Sequence, residues 1–406
     1  MAIELIFEGT LEKEKDREIF TEMVKEICDE KQIKFEDYDT SFLMDVCPQG
    51  CIECSYEGVF VSIVAQTNVA GPGFHAYVAQ LYDEIIVKSG ISYNIIDKTQ
   101  YYENRDFEAL KYKSFYPWLT QLCEYVQEYA KSQQDLCVCW SADAYRPIHK
   151  DGYVVTPLGY QAIHAFRSDD IEVLAQNFFI WNEKEKDASF YKNCALALLW
   201  KECYFEYSTM NDYTSKIAHM CIDYLEIAYD CDSTIALPYT TYEALCDVLQ
   251  REKVMHVIQH DESAQVIGYR KGIVYYPLGN WSIAVQGFHE KNFDDVTKTM
   301  NIMAPYKEDS EEWTWLVKAN VIDKTLLHHD WMLQHDTYYT EQLHGIQVHG
   351  VILQEDTYYR LIMQFEKDGE ALQIDCFIHE EQQVEVLKQW CHHIQYAKNI
   401  QEQVKH

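Results

Sequence analysis

The chain has 406 residues, 48% hydrophobic and 14% aromatic, which is enough apolar mass for two or three folded domains and too much for a disordered chain. Its 34 basic and 66 acidic side chains leave a net charge of −32, a field that repels phosphate backbones and anionic membrane surfaces and so argues against both as main partners. The same field suits a basic protein, and 31 tyrosines supply the amphipathic surface that protein interfaces favour.

In chain order, residues 3–7 predict a short strand and 10–31 a helix, with Ile19, Met23, Val24 and Ile27 at helical spacing. Strands are expected at 42–46, 51–56 and 59–66, the last two joined by a Glu57-Gly58 hairpin turn. The start, Met1-Ala2-Ile3-Glu4-Leu5, carries acid early and lacks a leader's apolar run, and no stretch of about 18 apolar residues predicts a membrane span. Fourteen scattered cysteines then read as free thiols of a reducing, bacterial-type cytoplasm. Among them Cys47, Cys51 and Cys54 have a C-x3-C-x2-C spacing that resembles the radical S-adenosylmethionine family, which implies an iron–sulfur cluster. The resemblance covers eight residues: Glu53 stands where that family has an aromatic residue, and Cys51 and Cys54 fall in a strand that would send them to opposite faces. No cofactor is therefore expected.

The loop Thr67-Asn68-Val69-Ala70-Gly71-Pro72-Gly73 opens a helix predicted at 74–88, followed by a strand at 93–97. Gly71 and Gly73 let the backbone approach a ligand, and the helix start at Phe74 would aim free N–H groups at an anion, with His75 as a proton donor or acceptor. These four residues are the candidate ligand site; the competing reading is a structural turn. Residues 1–105 thus form an N-terminal α+β unit.

Residues 107–131 predict a helix broken at Pro117. The run Gly152-Tyr153-Val154-Val155-Thr156-Pro157-Leu158-Gly159 then returns as Gly272-Ile273-Val274-Tyr275-Tyr276-Pro277-Leu278-Gly279, identical at Gly, Val, Pro, Leu and Gly. Helix-like segments precede both copies, near Pro117 and Pro238, and short strand candidates lie at 136–140 and 255–259. In each copy Pro is expected to end the strand and Gly to shape the turn. This predicts a partly duplicated helix-strand-strand unit, about 115–166 and 237–287, within a core at 106–300. A helical insertion at 169–235 separates the copies, with helices at 169–179, 189–207 and 214–229. Asp169-Asp170 and Asp294-Asp295 are read as helix caps.

Residues 301–406 predict a small C-terminal α+β subdomain that begins after an acidic stretch at 308–312 and is rich in histidine. Strands are expected at 345–353, 358–365 and 371–378, with a turn at Lys367-Asp368-Gly369 and a helix over 380–403. The hexapeptides at 334–339 and 354–359 share five of six residues. His328, Met332 and His335 would share a helical face, with His329, Asp330, His344 and His349 nearby. Nitrogen and carboxylate groups so spaced bind zinc or a transition metal. Surface histidines are the plainer reading, and no metal ligand is assigned. Ser141, Asp143, His149 and His164 lack the G-x-S-x-G setting that would activate a serine, so no catalytic residue is assigned either.

The fold class expected is α+β with mixed or antiparallel sheets. The function expected is a non-enzymatic cytoplasmic binding or accessory protein whose acidic, Tyr-rich surface engages a basic protein, in the manner of an inhibitor or immunity partner. An enzyme or sensor of anionic small molecules using the 71–75 loop is the alternative, and a His-rich metalloprotein the second alternative.

Overall fold

The computed structural model describes residues 2–131, 136–141, 144–256, 267–303, 315–379 and 381–397. They fold as α+β, with antiparallel sheets. In chain order the strands are β1 (Glu4–Thr10), β2 (Lys34–Tyr38), β3 (Ser41–Cys47), β4 (Gly50–Glu57), β5 (Phe60–Gln66), β6 (Ser92–Asp97), β7 (Arg146–Pro147), β8 (Tyr153–Thr156), β9 (Gly159–Ala162), β10 (Ile273–Leu278), β11 (Trp281–Gln286), β12 (Glu290–Asp294), β13 (Thr299–Met303), β14 (Trp315–Asp323), β15 (Tyr339–Leu343), β16 (Ile346–Gln354), β17 (Tyr359–Lys367), β18 (Glu370–Ile378) and β19 (Gln395–Tyr396). The α-helices are α1 (Arg17–Lys31), α2 (Pro72–Ser89), α3 (Tyr101–Asn104), α4 (Phe107–Leu110), α5 (Tyr116–Tyr129), α6 (Ile171–Phe178), α7 (Ala188–Lys201), α8 (Asp212–Cys231), α9 (Tyr239–Leu249) and α10 (Glu381–Cys391). The chain divides into two compact units, the first comprising Met1–Cys139, Lys150–Lys201 and His219–Gln265, the second Trp140–His149, Glu202–Ala218 and Val266–His406.

The first unit holds a six-stranded antiparallel sheet in the order β2-β3-β4-β5-β1-β6. Alternation in β1 and β5 buries Leu5, Phe7, Val61, Ile63 and Ala65. α2 packs on these strands through Tyr82, whose hydroxyl bonds to the Leu5 and Ile63 carbonyls, and α1 adds Phe20, Val24 and Ile27 to the same core. Gly58 makes the expected β4–β5 turn at φ 59°, where a side chain would meet nothing but would strain the backbone. α7 is buried nearly all round, as its composition predicts. Strand β2 was not expected: its sequence is Lys-Phe-Glu-Asp-Tyr, and Lys34 pairs with Asp45 of the neighbouring strand, which suits a charged sheet edge. The helix expected over 107–131 is continuous through Pro117. The register slips instead into one π turn at Lys111–Phe115, just before the proline, which has no N–H to bond the preceding turn.

The second unit holds a seven-stranded antiparallel sheet, β12-β13-β14-β18-β17-β16-β15, and a four-stranded one, β19-β11-β10-β7. One face of the larger sheet is apolar through Leu361, Met363, Phe365, Leu372, Ile374 and Cys376, and α10 lays Val384, Leu387 and Trp390 toward it. The opposite face is polar along its middle, as the site below shows.

Both copies of the repeated octapeptide form antiparallel hairpins, β8–β9 and β10–β11, in separate sheets. Their turns differ by two residues. Thr156 pairs with Gly159 across Pro157-Leu158, whereas Leu278 pairs with Trp281 across Gly279-Asn280. Pro277 therefore lies inside β10 and does not end it. The missing N–H is tolerated because β7 pairs only with Val274 and Tyr275, leaving that edge of β10 unpaired at Pro277. The strand expected at 136–140 is a single bridge from Cys137 to Val155, and the one at 255–259 lies largely outside the described residues. Asp294-Asp295 cap no helix: Asp294 accepts from the N–H groups of Val296 and Thr297 in the β12–β13 turn. The tail helix ends at Cys391 and the chain then joins a sheet as β19. The two related hexapeptides lead into β15 and β17, the two neighbours of β16.

Candidate metal centre

The 71–75 loop is sealed. Gly71 is the N-cap of α2 at φ 103°, and Pro72, Gly73, Phe74 and His75 are buried. The Gly73 N–H, which an anion would need, donates to the Trp181 carbonyl at 2.9 Å, and the Trp181 N–H donates back to Ala70 at 2.8 Å. A Cβ on Gly71 would meet the Trp181 carbonyl at 2.6 Å, and one on Gly73 would collide with the Trp181 ring and the Glu183 carbonyl. The glycines admit the chain's own backbone, which favours the structural turn over the anion cradle as the reading of this loop. His75 is consumed in the same way. Its Nδ1 lies 3.0 Å from Thr67 Oγ1, its Nε2 3.5 Å from Asp97 Oδ2 and 3.4 Å from Thr99 Oγ1, and Tyr101 and Phe115 pack edge-on to the ring. Burial alone would raise the Asp97 carboxyl. Bonds from His75, Thr99 and the Tyr102 N–H outweigh it and hold the carboxyl at about 2.

The cysteine triplet does not assemble. Cys51 is exposed and Cys54 buried on opposite faces of β4. Burial pushes the Cys47 thiol up to about 12, the reverse of what a thiolate ligand needs. Of the serine-centred set, Asp143 lies outside the described residues.

The C-terminal histidines do converge, though in a different combination from the one the spacing predicts. Residues 328–335 form a loop with one 3-10 turn at Met332–Gln334, not an α-helix, and His328 and His335 are exposed. His344, at φ 49°, is half of the two-residue turn between β15 and β16. His329 and His349 instead meet Glu366, with one ligand atom from each lying within 4.8 Å of the others.

Two features bring them together. Strand register places His349 of β16 directly opposite Gln364 of β17, and Glu366 is two residues further along the same face. The loop before β15 crosses that face and is pinned by Met332, which is fully buried against Val351 and Ile362. That anchor sets His329 over the strands, its ring stacked on His349 with centroids 4.0 Å apart and planes 24° apart.

Bonds behind the ring nitrogens fix their orientation. Gln364 Nε2 donates to Gln373 Oε1 at 3.3 Å, so Gln364 Oε1 accepts from His329 Nδ1 at 2.7 Å. In the neutral ring this leaves His329 Nε2 as a lone pair, 2.5 Å from Glu366 Oε1. That carboxylate oxygen is buried and faces the two imidazoles, with no other hydrogen-bond partner among the described residues. Two acceptors so close repel unless a proton or a metal cation lies between them. His349 Nδ1 is bonded to Tyr338 Oη at 2.8 Å, and its Nε2 is 3.8 Å from the same oxygen. Burial, followed by the neighbouring His329, holds the His349 imidazole below its ordinary value and favours the neutral, ligating form. Burial would raise the Glu366 carboxyl, but Lys324, with Nζ 2.7 Å from Oε2, and His329 bring it below the usual range. Two imidazoles and one carboxylate, each imidazole held from behind by a polar side chain, are the donor set of a divalent transition-metal site. Donors held at about 2.1 Å from one ion sit roughly 3 to 3.4 Å apart. His329 Nε2 and Glu366 Oε1, at 2.5 Å, would therefore have to move apart, and the separations of up to 4.8 Å would have to close.

No helix among the described residues is long and apolar enough to cross a membrane. No family model matches the chain, and neither does any curated protein. A crystal structure of a protein from Bacteroides thetaiotaomicron VPI-5482 aligns with 30% of this chain at 9% identity and a TM-score of 0.21; the chain spans half of that protein's length. A likeness of that size carries no argument about fold or function.

Proposed function

We propose that this protein binds a divalent transition-metal ion through His329 Nε2, His349 Nε2 and Glu366 Oε1. The observation that carries the reading is the buried Glu366 oxygen facing two ring nitrogens whose other nitrogens are already bonded to Gln364 and Tyr338. Mixed nitrogen and oxygen donors favour zinc, cobalt, iron or nickel over calcium or magnesium. The test uses tag-free, chelator-treated protein titrated with Co(II), read by visible absorbance and thermal shift. Saturation at about 100 times the dissociation constant should stabilise the fold by about 2.7 kcal/mol. His349→Ala and Glu366→Gln should abolish the shift. A wild-type protein with no Co(II) spectrum and no shift sinks the proposal.

A second reading rests on the charge. A net −32 with 31 tyrosines favours a binding or accessory role toward a basic protein, in the manner of an inhibitor or immunity partner. Such a complex should weaken steeply as salt rises, and binding indifferent to salt counts against it. The two readings are compatible, since the metal donors occupy one small face of a sheet.

A further inference from the structure

We infer that Lys324 is the built-in competitor for this metal: its ammonium occupies the Glu366 carboxylate when the metal is absent and must leave when the metal arrives. The inference rests on the metal reading above and adds its regulation. Lys324 opens the 3-10 turn Lys324–Leu326 at the end of β14, and its side chain is 53% exposed, while that of Glu366 is only 6% exposed. The acid is therefore fixed and the base is free to swing into water.

The electrostatics give the exchange its direction. A buried carboxylate without a counter-charge is costly, so the metal-free fold needs a cation beside Glu366. Lys324 supplies it through Oε2, on the oxygen that His329 and His349 do not face. A divalent ion beside Oε1 would supply the same compensation and repel the ammonium at short range. Binding thus exchanges one cation for another. The apparent affinity is the intrinsic affinity reduced by the free energy of displacing Lys324, and the metal-free protein stays folded meanwhile.

Two substitutions move the affinity in opposite directions. Lys324→Met removes the competitor and should tighten Co(II) binding about tenfold, while lowering the melting temperature of the metal-free protein. Lys324→Arg keeps the charge in a fork suited to a carboxylate and should weaken Co(II) binding severalfold. Both are titrated beside wild type and His349→Ala. Wild-type binding with unchanged or reversed affinities in the two Lys324 variants overturns this inference and leaves the metal site standing. Wild type and His349→Ala that are alike in failing to bind overturn the site, and the inference with it. If Lys324→Met does not fold, the arginine variant alone decides: affinity equal to or tighter than wild type refutes the competition.

Discussion

Two histidines in this chain are each buried or half-buried beside a carboxylate, and they show how similar side chains are put to different ends. His75 is fully enclosed: Thr67, Asp97 and Thr99 take its nitrogens, and aromatic rings take its edges. His329 is a quarter exposed, at 26%, and directs Nε2 at a buried carboxylate oxygen that has no partner besides the imidazoles among the described residues. In the first case hydrogen bonding is complete and the group is structural. In the second the ring nitrogen and the carboxylate oxygen face each other and can take either a proton or a metal ion between them, which is the condition for binding a cation. Proximity of His to Asp or Glu is common to both, so it does not distinguish them.

The largest expected effect tests the sealed side. Gly73→Val would drive a side chain into Trp181 and the Glu183 carbonyl, so it should cost about 3 kcal/mol or more, or prevent folding of the first unit. Gly58→Ala, with open space around its Cβ, should cost only about 1 kcal/mol through its positive φ. Urea unfolding of both checks the contrast, and equal costs would mean that the 71–75 loop is open after all.

Next is the Asp97 carboxylate. Asp97→Asn breaks a buried pair and should destabilise by about 3 kcal/mol. Wild type has its own acid signature. Because the folded pKa of Asp97 is depressed to about 2, its contribution is present above the ordinary carboxylate range, near pH 4, and is lost as pH falls through about 2. His289 gives a contrasting limb in the second unit. Burial against Trp390 and Phe288 lowers its imidazole to about 3, with Nδ1 donating to the Gln286 carbonyl. Between pH 6.5 and about 3 the unfolded chain binds a proton that the fold refuses, so stability falls as pH drops through that window. His289→Phe should remove this limb, as followed by thermal melts at intervals of pH. A wild-type profile that is flat across that window would break the assignment.

How much of this was legible beforehand follows from the range of the signals. Gly58 and Lys367-Asp368-Gly369 mark hairpin turns by local chemistry, and the apolar content of α7 announces burial. The charged strand β2 was hidden because only Phe35 among its residues is a core-type side chain placed inward. The metal donors were hidden for another reason. His328 and His335 looked aligned on the assumption of a helix, and the segment is a loop. His329, His349 and Glu366 come together through a strand register and the Met332 anchor, neither of which sequence spacing encodes. One signal was available: Gln364 and Glu366 interrupt the apolar run Leu361–Phe365 of β17 and flank Phe365, an expensive choice in a buried strand unless something pairs with them.

Loosening the anchor should have a middling effect. Met332→Ala removes a fully buried side chain, costs about 2 kcal/mol, and frees the loop that carries His329. Co(II) affinity should drop alongside stability. Unchanged affinity would show that the strands alone hold the site.

The smallest effect is the sharpest test of the comparison. Tyr338→Phe deletes one oxygen, 2.8 Å from His349 Nδ1, and leaves the ring packed on the loop. If His349 were a structural residue like His75, losing one half-exposed hydrogen bond would cost at most about 1 kcal/mol of stability and nothing else. If it is a ligand, the bond sets which nitrogen carries the hydrogen and how the ring is aimed, and its loss should weaken Co(II) binding about tenfold with little change in the metal-free melting temperature. His344→Ala, in the exposed β15–β16 turn, is the control for a nearby histidine that holds no metal. An affinity loss in Tyr338→Phe that His344→Ala does not share separates orientation of a ligand from general disturbance of the sheet. Equal affinities in both would return His349 to the structural class.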